Sequence, residues 1–182
     1  MKSKLIFLLL GILIPAYMLH SQPKKYEAVK EESVIKYKLT HPLHEVVGVS
    51  KSAICLIYAD AKTKDIKNVL VEVPVTSFNT GNSNRDSHAM EVVNAISYPT
   101  AKFLSTSVQQ KGDSIKVYGK LTFHGITKDI VINAATSWSS NKLIVNGGFD
   151  ISLTEFHIER PSLLLIPVND NLQFFLTQVF NL

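Results

Sequence analysis

From Ser33 onward, apolar and polar residues exchange places with period two in one stretch after another. Ile35, Tyr37 and Leu39 alternate with Lys36, Lys38 and Thr40, and Val69, Val71, Val73 and Val75 alternate with Leu70, Glu72 and Pro74. Ile115, Val117, Leu121 and Phe123 alternate with Lys116, Tyr118, Lys120 and Thr122. The pattern returns at Ile130 and Ile132, at Leu143, Val145, Phe149 and Ile151, and at Leu172, Phe174 and Leu176. Successive side chains of an extended chain point to opposite faces, so each stretch predicts a strand with one apolar and one wetter face. Two more strands, over 46–59 and 101–109, fill the gaps, the first with an ambiguous inward face.

The connections are short. Lys111-Gly112-Asp113, His124-Gly125 and Ser139-Ser140-Asn141 carry hairpin turn residues. Sequential hairpins make an antiparallel meander, and closing about eight strands into a barrel removes exposed edges and can enclose one small ligand. The expected fold is therefore all-β, an eight-stranded antiparallel up-and-down barrel with one short inserted helix. That helix is read over 83–95, with Ser83 as N-cap, Asp86 in the first turn, and a stripe of Ala89, Met90, Val93 and Ile96. Pro99 stops it, and it should pack over one end of the barrel.

The N-terminus reads differently. Lys2 and Lys4 precede an apolar run over 5–19, interrupted by Pro15. A basic start, a short apolar core and a polar exit make a secretory signal peptide, and the run falls short of the roughly 20 apolar residues of a membrane span. The expected organisation is a signal peptide at 1–22, a charged lead-in at 23–32 and a barrel domain at 33–182. The protein is expected to be exported, with no stable membrane insertion after cleavage. Without Lys2 and Lys4 the formal charge falls from +4 to +2. Such mild basicity lacks the Lys/Arg stripe a nucleic-acid partner would need. The lone Cys55 cannot form an internal disulfide, and in its apolar stretch it reads as a buried, inert thiol.

Common catalytic and cofactor motifs are missing, so no catalytic residue, metal or cofactor is assigned. His41 with His44, and Glu155, His157 and Glu159, are metal-donor types at close spacing, but a catalytic zinc site usually takes three protein ligands. The run over 76–88 concentrates turn formers, a helix cap, a charge pair and a histidine. It reads as loop anchoring or, more sharply, as a polar rim of Asn79, Arg85, Asp86 and His88 facing a ligand head group. The inward faces supply a lining of Ile35, Tyr37, Leu39, Val71, Val73, Phe103, Val117, Leu121, Ile132, Val145, Phe149, Phe174 and Leu176. These side chains either leave a cavity or meet and fill the interior. Leu163-Leu164-Leu165-Ile166 lies between Pro161 and Pro167 without strand alternation. It is expected as a lid or plug, with Leu164 among the ligand contacts.

Several of these pieces occur in an order that resembles the YceI-like family. They are His41 followed by Gly48, the run Ser77-Phe78-Asn79-Thr80-Gly81-Asn82 with Arg85-Asp86 and His88, and Tyr98-Pro99 followed by Phe103. Gly119-Lys120-Leu121-Thr122-Phe123-His124-Gly125-Ile126-Thr127 completes the set. The resemblance spans the chain from about Ser33 to its end. It implies a lipocalin-like eight-stranded barrel in a bacterial periplasm that binds polyisoprenoid or other long-chain lipids, and it carries over no catalytic residues.

The leading functional expectation is non-catalytic binding of a long apolar lipid, a polyisoprenoid or fatty chain, inside the barrel. The periplasm is the expected location, with secretion as the alternative, and a homodimer is kept among the partners. Two rival readings are a filled structural barrel that binds a protein partner and a histidine-based metal-dependent enzyme.

Overall fold

The computed structural model describes residues 22–182. The signal peptide read at 1–22 falls, but for its last position, outside the described residues. The strands are β1 (Lys24–Glu27), β2 (Val34–His41), β3 (His44–Ser50), β4 (Ile54–Asp60), β5 (Asp65–Pro74), β6 (Thr100–Lys111), β7 (Ser114–Phe123), β8 (Ile126–Trp138), β9 (Lys142–Ser152), β10 (Ser162–Leu163), β11 (Ile166–Pro167) and β12 (Asn171–Asn181). One α-helix, α1 (Ser83–Val92), lies between β5 and β6, and a 3-10 turn at Thr154–Phe156 follows β9. β7 shows why the strands form. Ile115, Val117, Gly119, Leu121 and Phe123 are buried while the residues between them are exposed or half-buried, so one face turns inward without a break.

Ten strands make one curled sheet in the order β1-β4-β5-β6-β7-β8-β9-β12-β2-β3, and β10 and β11 form a separate hairpin. The large sheet is antiparallel, and its edge strand β1 closes a ring. Lys24 to Glu27 pair with β4, after which Ala28 bridges to Phe180 of β12 and the Val29 N–H donates to the Val179 carbonyl at 2.7 Å. β1 thus joins β4 to β12 and completes eight strands around the core. The β2–β3 hairpin continues the sheet past β12, and its free edge is pinned to the segment after β5. Val49 and Asn79 exchange backbone bonds at 2.9 and 3.0 Å, and the Ser50 and Ser77 hydroxyls lie 2.7 Å apart.

The register puts Pro74, Thr100, Phe123, Ile126, Ser152 and Asn171 at one end of the barrel. Two of the connections there are long, carrying α1 and the segment over 153–170, while β7 and β8 are joined by a two-residue turn. The opposite end has tight turns.

The sequence expectations need four corrections. The main sheet has ten strands where about eight were expected. One reason is that the lead-in at 23–32 is not merely solvated chain, because it contains β1. Another is that the strand expected over 46–59 breaks at Lys51-Ser52-Ala53 into β3 and β4, which sit at opposite ends of the strand order. Ser50 fixes the break, since its buried hydroxyl accepts the Ser52 N–H at 3.2 Å and meets Ser77. Finally, the helix is capped by Asn82 rather than Ser83. The Asn82 side chain accepts the Arg85 N–H at 3.1 Å, and the helix stops at Val92. Asn94, at φ 44°, then turns the chain, which leaves Ile96 97% exposed and off the expected apolar stripe.

Candidate functional site

The inward faces do not fill the barrel. They surround a cavity of about 200 Å³. Room for one water takes about 10–15 Å³, so this space exceeds a packing defect by an order of magnitude. β2 contributes Ile35, Tyr37 and Leu39 to the wall, β5 contributes Val71 and Val73, β6 Phe103, and β7 Val117 and Leu121. Ile132 of β8, Val145 and Phe149 of β9, and Phe174 and Leu176 of β12 complete the predicted lining. Strand alternation located these, apart from Phe103 on a strand placed to fill a gap.

The remaining wall came from weaker signals. Cys55 and Ile57 stand on β4, where the alternation looked irregular, and Ile66 opens β5. Met90 and Val92 of α1, with Val93 just beyond, close the elaborated end. Leu153, Ile158 and Pro161 come from the 153–170 segment. No period marks that segment, so its share of the wall was not visible in the sequence.

The lining is almost wholly hydrocarbon. Gln178 is its one amide, buried, with Nε2 donating to the Val34 carbonyl at 3.4 Å and Oε1 lacking a partner among the described residues. Burial pushes the Tyr37 hydroxyl up to about 12, with the Asp86 charge acting the same way, so the phenol stays neutral. Burial likewise pushes the Cys55 thiol up to about 12. At 3% exposure it is the inert thiol expected from the sequence, now placed on the cavity wall.

Two aromatic contacts shape the interior. Phe149 and Phe174, register partners on β9 and β12, stack with centroids 4.9 Å apart. Tyr37 packs its ring on Phe78, 5.3 Å away, across the seam between β2–β3 and the segment after β5. Its ring also lies over its cross-strand partner Gly48, where a Cβ would come within 2.2 Å of a ring carbon.

The proposed rim residues chiefly bind their own loop, with Thr80 as the shared partner of Arg85 and Asp86. Arg85 donates from Nε to Thr80 Oγ1 at 2.9 Å and from Nη2 to the Thr80 carbonyl at 3.0 Å. Asp86 accepts the Thr80 N–H at 3.1 Å and its hydroxyl at 2.6 Å. Asn79 Oδ1 accepts the Gly81 N–H at 2.6 Å. These bonds anchor the loop to the helix start, close to Tyr37. His88 is exposed and lies 3.6 Å from Glu91.

Two further histidines hold the fold. His41 is buried; Nδ1 accepts the Leu43 N–H at 3.1 Å, so Nε2 carries the proton and donates to the Ile166 carbonyl at 2.9 Å. His124 Nδ1 lies 2.9 Å from the Phe156 carbonyl and its ring meets Tyr98 edge-on. Among the described residues, no three His, Cys, Asp or Glu side chains come together to hold a metal ion.

Leu163 to Ile166 form neither lid nor plug. Leu163 pairs with Ile166 in the β10–β11 hairpin, and Leu164 and Leu165 are its two turn residues. Leu164, 76% exposed, does not reach the cavity wall, and Leu165 is 95% exposed. Their φ angles of 52° and 67° are those of a type I′ turn, which favours Asn-Gly. Holding leucines there costs about 1–2 kcal/mol per residue.

A curled antiparallel sheet wrapped around an apolar cavity and closed at one end by a helix defines a small-ligand β-barrel. The model of the YceI-like domain matches residues 26–179, and this chain belongs to the YceI-like family. A UPF0312 protein of Pseudomonas syringae pv. syringae is 29% identical over 141 residues, covering 72% of this chain and 73% of the relative. Protein YceI of Salmonella newport is 25% identical over 166 residues, covering 86% and 87%. Among solved structures, Burkholderia cenocepacia BcnA superposes with a TM-score of 0.76 at 18% identity, over 84% of this chain and 98% of that one. A polyisoprenoid binding domain from Saccharophagus degradans superposes with a TM-score of 0.65 at 10% identity, over 87% and 98%. These likenesses show the shared barrel fold.

Proposed function

We propose that this protein binds, without chemical conversion, one long apolar lipid chain inside its barrel, a polyisoprenoid or a fatty chain, in the bacterial envelope. The observation that carries the reading is the cavity itself, lined by aliphatic and aromatic side chains with a single amide. Each buried methylene contributes about 0.8 kcal/mol, so ten supply about 8 kcal/mol gross, near micromolar affinity before ordering costs. A phosphate or other charged head group would be too costly to bury in such a lining and would stay at the mouth. The polyisoprenoid binding domain with the same fold supports the choice of ligand class, and the leader pattern at 1–22 supports export to the periplasm.

The test is an organic extract of the protein purified from an expressing bacterium, set beside that of Val117→Trp, which puts an indole into the cavity. The expected result is lipid in the wild-type extract and little or none from the folded variant. A clean wild-type extract, with no uptake of added polyisoprenol or palmitate, would leave the barrel without this function.

A further inference from the structure

We infer that the tip of the β10–β11 hairpin, together with the Pro42-Leu43 turn beside it, inserts into the surface of a lipid bilayer. The two turns are held side by side. His41 at the end of β2 donates to the Ile166 carbonyl, and the Asn169 N–H donates to the Thr40 carbonyl at 2.8 Å. Leu43, Leu163, Leu164, Leu165 and Ile166 are all exposed, so five large aliphatic side chains share one projection.

Three features select a bilayer over a protein partner. The hairpin ends in a two-residue turn, and a bilayer accepts such a narrow tip without a complementary pocket. No charged residue lies between Arg160 and Asp170, and the tip offers neither the aromatic nor the arginine anchors that dominate protein interfaces. The hairpin also pairs part of its own backbone, with Leu163 opposite Ile166 and the Val168 N–H donating to the Pro161 carbonyl at 2.9 Å, which lowers the cost of entering an apolar interface.

Position and strain point the same way. The hairpin grows from the segment that supplies Leu153, Ile158 and Pro161 to the cavity wall, so the tip and the lined end of the barrel belong together. Leucines occupy two left-handed turn positions where Asn-Gly would fold more easily, and a strained backbone kept with its side chains in water suggests that those side chains have work to do. The purpose rests on the lipid-binding reading: a chain could pass between bilayer and cavity without crossing water.

The double variant Leu164→Asn/Leu165→Gly separates this role from folding, because it supplies the residues the turn prefers. The folded unit from residue 22, whose ring of strands closes within itself, is sedimented with phosphatidylcholine vesicles and with vesicles of phosphatidylethanolamine and phosphatidylglycerol. Wild type should bind both, with little dependence on salt. The double variant should bind at least about tenfold more weakly, as expected for withdrawing two leucines from an apolar phase, and should melt no lower than wild type. Leu104→Asn, which removes an exposed leucine from β6, should bind as wild type does. Absent wild-type binding, equal binding by the double variant, or binding to anionic vesicles alone that salt abolishes would overturn the inference. So would a wild-type dimer that the double variant dissolves, since a second copy would then cover the tip. Uptake of palmitate delivered from ethanol should be the same in wild type and double variant. Failure of that uptake in both would count against the cavity, not the tip.

Discussion

Phe149 and Phe174 stack with only 12° between their ring planes, directly opposite each other on β9 and β12, and both face the cavity. The pair makes a flat aromatic panel in the apolar wall. Phe174→Ala should cost about 3 kcal/mol in a urea melt, the low end for truncating a packed phenylalanine, because the ring is only half-buried and borders open space. It should also enlarge the cavity and shift preference toward bulkier chains, measured by competition between palmitate and a polyisoprenol. A loss below about 1 kcal/mol would mean that the panel is not part of the packed wall.

Gly48 owes its identity to Tyr37. An alanine Cβ would meet the ring at 2.2 Å, and the ring is also held by Phe78. Gly48→Ala should destabilise the protein by about 1–3 kcal/mol, the usual range for overpacking. Adding Tyr37→Leu should recover part of that loss, whereas additive losses in the double variant would refute the contact.

Cys55 reports on the wall. Its burial and its thiol pKa of about 12 predict slow reaction with Ellman's reagent in the native protein and rapid reaction in urea. Cavity occupancy should slow the native reaction further. Prompt native labelling would show that water reaches this wall freely.

Asp170 ties the end of β9 to the start of β12. It accepts from the Ser152 hydroxyl, from the Thr154 N–H at 2.9 Å and from the Thr154 hydroxyl at 3.0 Å, and these bonds hold its carboxyl below the ordinary 3.8. A depressed carboxylate contributes stability that is present above pH 3.8 and is lost as pH falls from there through the folded value. Wild type should therefore lose stability on acidification below that point, and Asp170→Asn should lose less over the same interval. Parallel acid melts for the two proteins would contradict this.

Period-two alternation carried most of the fold because a strand at a barrel wall has one consistent apolar face, as β7 does from Ile115 to Phe123. It failed where another force decided. β1 reads as charged chain because only Tyr26 of its four side chains packs on the core, and its backbone pairing closes the ring. The break at Lys51-Ser52-Ala53 depends on Ser50 meeting Ser77, which no local pattern reveals. The cavity wall was legible on the cleanly alternating strands, and illegible at Cys55 and Ile57 of β4 and where the 153–170 segment forms it. Leu164 looked like a ligand contact by composition and is instead a turn residue, because Leu163 and Ile166 pair across it.

The central claim is that the apolar interior binds one lipid chain. Native mass spectrometry of the protein titrated with a polyisoprenol, and separately with palmitate, tests it most directly. The account predicts a saturating mass increase equal to one ligand per barrel for at least one of the two. An unchanged protein mass at saturating concentrations of both would contradict it.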